Sequence, residues 1–536
     1  MRQTWPQAEG EWRVELLVVV VLGLLGIAAA TAIGPKLGVA APLLLVIIGI
    51  AVSFLPFVPD VVIDPEWILA GVLPPLLYSA SVSMPSMEFR REFGAISGLS
   101  VTLVVVSSVA LGFLFTWLVP GISLAAGIAL GAIVSPTDAV ATSIVKRIGV
   151  TPRIVTVLEG ESLLNDATAL VLLRSAIAAT AASFTFWEVV ADFAFAVVVA
   201  VLIGVLVGIG NLWIRSKVKD ATVNTVISFT VPFLAAVPSE LLGASGLVAA
   251  VVAGLVTGQG AARSLSPQHR LSDAQNWRTI ELILEGAVFL VLGLELSAIL
   301  SDLEAEENRG IAVGLRIAAV ALVAVIAVRA LYVLPTLSLQ RMRSRRGAGM
   351  RPRLTDAQQR AGGERFRSML RRKVADIDYF MAVPLGWREG AVIVWAGMRG
   401  AVTLAAAQTL PHDTPDRSLI VFIAFVVAAG SLIIQGGTLP LVVKLVKPAG
   451  VDHRAATAER ADLLRMLRQV AADVEHGHGE GHDGSLQLAI IEAQRKALLA
   501  ARRDGAYSGS VLTGALETLD AEQISIELRG EHRDEA

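Results

Sequence analysis

The chain has 536 residues, 54% of them apolar and only 17% charged, with no cysteine and a net charge of −2; its mean hydropathy is +0.66. Soluble domains carry about 25% charged residues, so this balance excludes a disordered chain, a coiled coil, a disulfide-stapled secreted domain and a zinc-thiolate protein. Near-neutral charge also argues against a nucleic-acid partner, and the natural solvent for most of the chain is a lipid bilayer.

A hydrocarbon core about 30 Å thick takes roughly 20 apolar residues per helix. Thirteen segments qualify: 14–33, 39–56, 67–84, 94–119, 122–145, 154–180, 187–214, 223–240, 245–261, 279–300, 311–338, 390–410 and 418–446. Ala28 to Ala30 resemble a signal cleavage site, but Glu9, Glu11 and Glu15 stand where a signal peptide carries positive charge, so a span is expected. Pro42, Pro74, Pro75, Pro136 and Pro232 interrupt the spans; membrane helices tolerate this where neighbours re-satisfy the freed backbone groups.

Lys and Arg alternate between the connections. One set holds Lys36, Arg90, Arg91, Lys146, Arg147, Arg153, Arg215, Lys217, Lys219, Arg263, Arg270, Arg278 and the run over 341–388. The other set holds Arg2, Arg13, Arg309 and Arg417, with acidic tracts at 60–66 and 301–307. The asymmetry places the N-terminus outside and the C-terminus in the cytoplasm. The expected organisation is therefore a transmembrane domain over 1–446, including a basic cytoplasmic loop at 340–389, and a helical, regulatory cytoplasmic tail over 447–536. Residues 340–373 carry twelve Lys and Arg; they attract anionic headgroups or serve only to set topology. The tail has helical patterns near 453–475, 485–503 and 508–528. His476, His478 and His482 between the first two could bind metal, although without cysteine or a rigid scaffold a flexible linker is favoured.

An ionisable group inside a membrane is a functional candidate by default. Asp138, Glu161, Asp166, Glu285, Arg329 and Arg399 fall there, whereas Arg174 and Arg316 lie near span ends and can snorkel. In Leu158-Glu-Gly-Glu-Ser-Leu-Leu-Asn-Asp-Ala-Thr168, Glu161 and Asn165 share one helical stripe, as do Ser162 and Asp166. Asp166 lies about 18 Å along its helix from Ile154, near the midplane. A lone carboxylate there must be protonated, pair with a cation or face water. The preceding span contains Ser135-Pro-Thr-Asp138, where proline removes a helix bond and Thr137 and Asp138 offer oxygens. A similar break is expected at Gly397-Met-Arg-Gly400. Two interrupted helices in corresponding halves point to inverted repeats and a midplane ion site. Arg329 needs an acid; Glu161 is the preferred partner and Glu285 the competitor. Arg399 is expected to steady the broken ends with Asp138.

With these motifs the chain resembles the monovalent cation:proton antiporter-1 family of NhaP- and NHE-type sodium/proton exchangers, and most closely its bacterial YjcE-like branch. The resemblance spans about 14–446 and rests most specifically on Gly160-Glu-Ser-Leu-Leu-Asn-Asp166. Pro74-Pro-Leu-Leu-Tyr78, Pro136-Thr-Asp-Ala-Val140, the stretch 285–293, Ala327-Val-Arg329 and Gly397-Met-Arg-Gly400 support it. It implies an all-α polytopic membrane protein of thirteen spans, with inverted repeats, discontinuous crossing helices at spans 5 and 12, a dimerisation domain, a mobile core domain and a homodimer. It further implies that Asp166 carries the ion or proton beside Asn165, that Ser162 and the Thr137 carbonyl are cation ligands, that Asp138 stabilises the crossing, and that Glu161–Arg329 is a buried salt bridge. Many members place an acid where this chain has Ser79, which removes one ligand or gating carboxylate.

The function expected is electroneutral exchange of Na⁺ (or Li⁺ or K⁺) for H⁺, one for one, because Asn165 leaves Asp166 as the single titrating carboxylate. A K⁺/H⁺ antiporter and a cation channel are the alternatives. No nucleotide-binding G-x-x-x-x-G-K-[ST] run is present. An Asp138–Asp166 protease dyad would lack the Gly-x-Gly-Asp context of such enzymes. Neither enzyme activity nor a cofactor is expected.

Overall fold

The structure is a computed structural model, and it describes residues 7–534 apart from 57, 59, 60, 62, 182–185, 306–309, 361–362, 383, 451–452 and 478–482. His478 and His482 lie outside the described residues, and no metal-holding group of acids and histidines occurs among those described. Secondary structure there is helical, save one isolated bridge between Val150 and Gly450.

The first four helices are α1 (Gln7–Leu37), α2 (Ala41–Ser53), α3 (Trp67–Ser83) and α4 (Ser86–Leu118). Pro42 sits in the first turn of α2, where its missing N–H is an orphan in any case. A π turn over Trp67–Val72 precedes Pro74 and Pro75, so the prolines fall at the start of the regular part of α3. The fifth apolar segment is split into α5 (Leu124–Val134) and α6 (Val140–Ile148). Then follow α7 (Pro152–Ala181), α8 (Phe186–Arg215), α9 (Ala221–Leu241), α10 (Gly246–Ser264), α11 (Pro267–Leu294), α12 (Leu296–Ala305) and α13 (Ile311–Arg360). The chain continues through α14 (Glu364–Ala382), a second split pair α15 (Trp387–Trp395) and α16 (Ala401–Gln408), and α17 (Arg417–Val446). The tail is α18 (His453–Gly477), α19 (Asp483–Asp504) and α20 (Gly509–Asp534).

Each of the thirteen apolar segments falls on a helix or a pair of helices. Among the described residues nine helices are long and apolar enough to cross a membrane, and Ala41–Ser53, Trp67–Ser83 and Leu124–Val134 are shorter apolar helices. The basic stretch expected as a loop is instead helical. α13 runs on to Arg360 and α14 folds back along it, with Arg351 Nε donating to Asp378 Oδ1 at 2.5 Å. Its Ala, Arg, Gln, Leu and Met residues are good helix formers, and positive charge carries no information against a helix.

Two apolar cores form. One gathers Val46, Leu130, Ile133, Leu292, Val325, Ile393 and Ile423 from α2, α5, α11, α13, α15 and α17. The other gathers Tyr78, Ala200, Ala235 and Val251 from α3, α8, α9 and α10. Helix α7 belongs to both: Leu158 packs into the first, Leu163 and Ala167 into the second. The helix bearing Asp166 thus lies, with α4 and α11, between two packing units.

Two cations read from the sequence as loop charges are buried. Arg215 is fully buried, with Nε donating to Asn224 Oδ1 at 2.6 Å and Nη2 bonded to Asp273. Arg153 Nε donates to Glu92 Oε1 at 2.5 Å. A guanidinium can leave water when a carboxylate meets it, and the partners come from distant helices.

The tail has its own core of Leu463, Leu467, Ile491, Leu498, Leu512 and Leu519. It is seated on the membrane helices by polar contacts. Arg270 of α11 donates from Nε to Asp520 at 2.9 Å, Glu88 accepts from the Gly509 N–H at 2.6 Å, and Arg502 donates to Ser86 Oγ at 2.8 Å.

Candidate functional site

The α5/α6 break spans 135–139 and the α15/α16 break 396–400, and the two meet: the Asp138 N–H donates to the Met398 carbonyl at 2.8 Å. Each break leaves unpaired carbonyls at one helix end and unpaired N–H groups at the other. Arg399 serves the carbonyl ends. Its Nε donates to Val134 O at 2.8 Å, Nη2 to Ser135 O at 3.4 Å, and Nη1 to Gly397 O. Asp138 serves the N–H ends. Its Oδ1 accepts from the Val140 N–H at 2.9 Å, and its carboxylate lies against Gly400, where α16 begins. A Cβ at Gly400 would overlap that carboxylate.

Positive charge at helix C-termini and negative charge at N-termini is the favourable arrangement of both dipoles. Arg399 and Asp138 therefore each bind helix ends of the two breaks, by separate hydrogen bonds. The loose helix ends compete for both side chains and hold them.

Glu161 and Arg329 form a two-pronged buried pair, Nη1 to Oε1 at 2.5 Å and Nη2 to Oε2 at 2.8 Å. Arg329 Nε also donates to Ile393 O at 3.0 Å, reaching the end of α15. Thr137 Oγ1 donates to Glu161 Oε1 at 3.0 Å, and Asn165 Nδ2 donates to Thr137 O at 2.9 Å and Oγ1 at 2.8 Å. The unwound backbone is thus held from α7 by two side chains one turn apart. Glu285, the alternative partner for Arg329, lies elsewhere.

A cavity of about 270 Å³ runs alongside, lined by Thr137, Asp138, Ser162, Asp166, Glu281 and Glu285, and extending to Lys146 and Glu159 near the end of α6. Asp166 is half-buried, and no base among the described residues pairs with it. Ser162 donates its hydroxyl proton to Glu159 O at 3.1 Å, leaving its lone pairs free. At the cavity's outer end Lys146 pairs with Glu159, its side chain half exposed. The cavity therefore joins carboxylate, hydroxyl and carbonyl oxygens, the donor set of a hard cation, in an enclosure with an excess of acids.

Glu281 was not singled out from the sequence. It stands one turn before Glu285 on α11, and that spacing is the signal that could have found it. Its Oε2 accepts from Ser79 Oγ at 3.4 Å, so a carboxylate from α11 stands beside Ser79 on α3.

A helical bundle whose two broken helices cross beside a half-buried carboxylate that no base among the described residues pairs with is the build of a membrane ion carrier. The family model "Sodium/hydrogen exchanger, transmembrane" matches residues 20–445, and the chain belongs to this sodium/hydrogen exchanger family. It is 31% identical to Uncharacterized Na(+)/H(+) exchanger YjcE of Escherichia coli (strain K12), over 81% of this chain and 79% of that protein. It is 27% identical to the Sodium, potassium, lithium and rubidium/H(+) antiporter of Bacillus pumilus (strain SAFR-032), over 86% of this chain and 66% of that one. Its fold is similar to the sodium proton antiporter MjNhaP1 of Methanocaldococcus jannaschii at pH 8, with a TM-score of 0.59 and 17% identity, covering 81% of this chain and 99% of the other.

Proposed function

We propose that the protein exchanges Na⁺ for H⁺ across the cell membrane, one for one and without net charge movement. The observation that carries this reading is Asp166: a midspan carboxylate that lines a cavity containing several acids and pairs with no base among the described residues. When ionised it binds the cation together with Ser162 Oγ and the Thr137 carbonyl; when protonated it releases it. With Asn165 donating its amide N–H to Thr137 and Glu161 committed to Arg329, Asp166 is the carboxylate left to alternate. The two α7 packing units supply the surfaces for alternating access: the crossing of α5/α6 with α15/α16 moves against the α3 and α8–α10 unit. Lys146 and the other basic connections face the cytoplasm, so the N-terminus lies outside, the tail lies inside, and this conformation opens inward. The resemblance supports a homodimer, which light scattering in detergent tests.

Dequenching of a pH-sensitive dye in proteoliposomes, with Na⁺, Li⁺ and K⁺ added in turn, is the direct test. Na⁺-driven proton movement that is insensitive to a clamped membrane potential is expected. The similarity to the Bacillus pumilus sodium, potassium, lithium and rubidium/H(+) antiporter supports K⁺ as an alternative cargo. Steady ionic current without coupling to protons would instead make the protein a channel.

A further inference from the structure

Glu281 faces the cavity between its outer end and Asp166, on the same helix face as Glu285. Its Oε2 accepts a hydrogen bond from Ser79 Oγ, 3.4 Å away on α3. Among the described residues no Lys or Arg forms an ion pair with it; Lys146, which lines the same cavity, is taken by Glu159. Arg278, one turn before it on α11, and Lys146 offset only part of the charge of this half-buried carboxylate, and the remainder acts on whatever enters the cavity. Its position suits recruitment rather than exchange, because the broken helices and their carbonyls lie at Asp138 and Asp166 and Glu281 touches neither break.

We infer that Glu281, held by Ser79 across the gap between α3 and α11, is the cation-recruiting carboxylate of this cavity and sets the apparent affinity for the alkali ion without taking part in the proton-for-cation swap at Asp166. This rests on the exchange reading. Glu281 concentrates the cation within the cavity, and Ser79 keeps its carboxylate turned inward.

The test uses the full chain in proteoliposomes at fixed pH, titrating Na⁺ for wild type, E281Q, E281D, and a double variant S79D/E281S that moves the acid across the gap to α3. E281Q is expected to raise the apparent KM for Na⁺ roughly tenfold, while the maximal rate stays within about twofold. E281D and S79D/E281S are expected to stay within about threefold of the wild-type KM, since each retains a carboxylate in the cavity. An unchanged KM in E281Q overturns the assignment, as does a fall in maximal rate at constant KM, which would make Glu281 part of the proton path. Should E281Q fail to fold, S79D/E281S decides: a wild-type KM supports recruitment and a tenfold rise defeats it. The Na⁺ concentration giving a half-maximal rise in melting temperature in detergent provides a second readout that needs no transport. Wild type showing neither transport nor this shift would defeat the exchange reading. Wild type showing both, with E281Q unaltered, would defeat only the role of Glu281.

Discussion

The Thr137 hydroxyl donates to Glu161 Oε1 at 3.0 Å, so the unwound stretch lining the cavity is tied directly to the buried Glu161–Arg329 pair. One carboxylate oxygen receives both a guanidinium and the hydroxyl of the broken helix. Arg329 in turn reaches the Ile393 carbonyl of the second broken helix. The structural ion pair is thereby a bracket across both interruptions, and it leaves Asp166, five residues beyond Glu161 on α7, outside the bracket and facing the cavity.

Removing the charge at Asp166 tests the carrier assignment. D166N in proteoliposomes is expected to abolish cation-dependent dequenching while the melting curve stays close to wild type, because this carboxylate makes no internal ion pair to lose. Full exchange by the variant would overturn the assignment.

Breaking the bracket behaves differently. R329A leaves Glu161 buried with a single neutral donor, and stranding one member of a buried pair costs about 3–5 kcal/mol. A large drop in melting temperature is expected, measured in detergent, and the double variant E161Q/R329Q should recover part of it. Equal stability of R329A and wild type would show the pair to be energetically idle.

The crossing has little room. G400A places a methyl group against the Asp138 carboxylate, so exchange is expected to fall by more than about tenfold. G210A on α8, where an added Cβ meets nothing within 4 Å, is the matched control and should transport as wild type. Comparable activity of the two variants would argue against a tight role for the Asp138–Gly400 contact.

Proton and cation competing for one carboxylate impose a slope. Below the carboxylate's own titration point, the apparent KM for Na⁺ should rise about tenfold for each unit fall in pH, and above it the KM should level off. A series of Na⁺ titrations between pH 6 and pH 9 reads this. A slope near two per pH unit on logarithmic axes would mean a second coupled proton.

The tail is clamped to the helix that carries Glu281 and Glu285 through Arg270 and Asp520, both largely buried side chains. R270A is expected to speed protease cleavage within 453–534 severalfold without changing the melting of the membrane domain, followed by gel analysis and calorimetry. Unchanged cleavage would show that the other tail contacts suffice.

Much of this was legible in the chain. Runs of about 20 apolar residues locate the helices because lipid leaves the backbone no other partner, and the tail helices fall within a few residues of their expected ranges. The break after Ser135 was readable because Pro136 cannot continue the hydrogen-bond ladder. The polar stripe from Glu161 to Asp166 stood out because apolar surroundings make each such residue costly. The partners of those charges were not readable. Arg399 binds the carbonyls of Val134 and Gly397, Arg215 is buried against Asp273, and Glu281 meets Ser79, contacts that span up to 265 positions in sequence. Local chemistry states that a buried charge must be answered. Which group answers it depends on how helices distant in the chain cross, and only the packed structure brings those atoms within bonding distance.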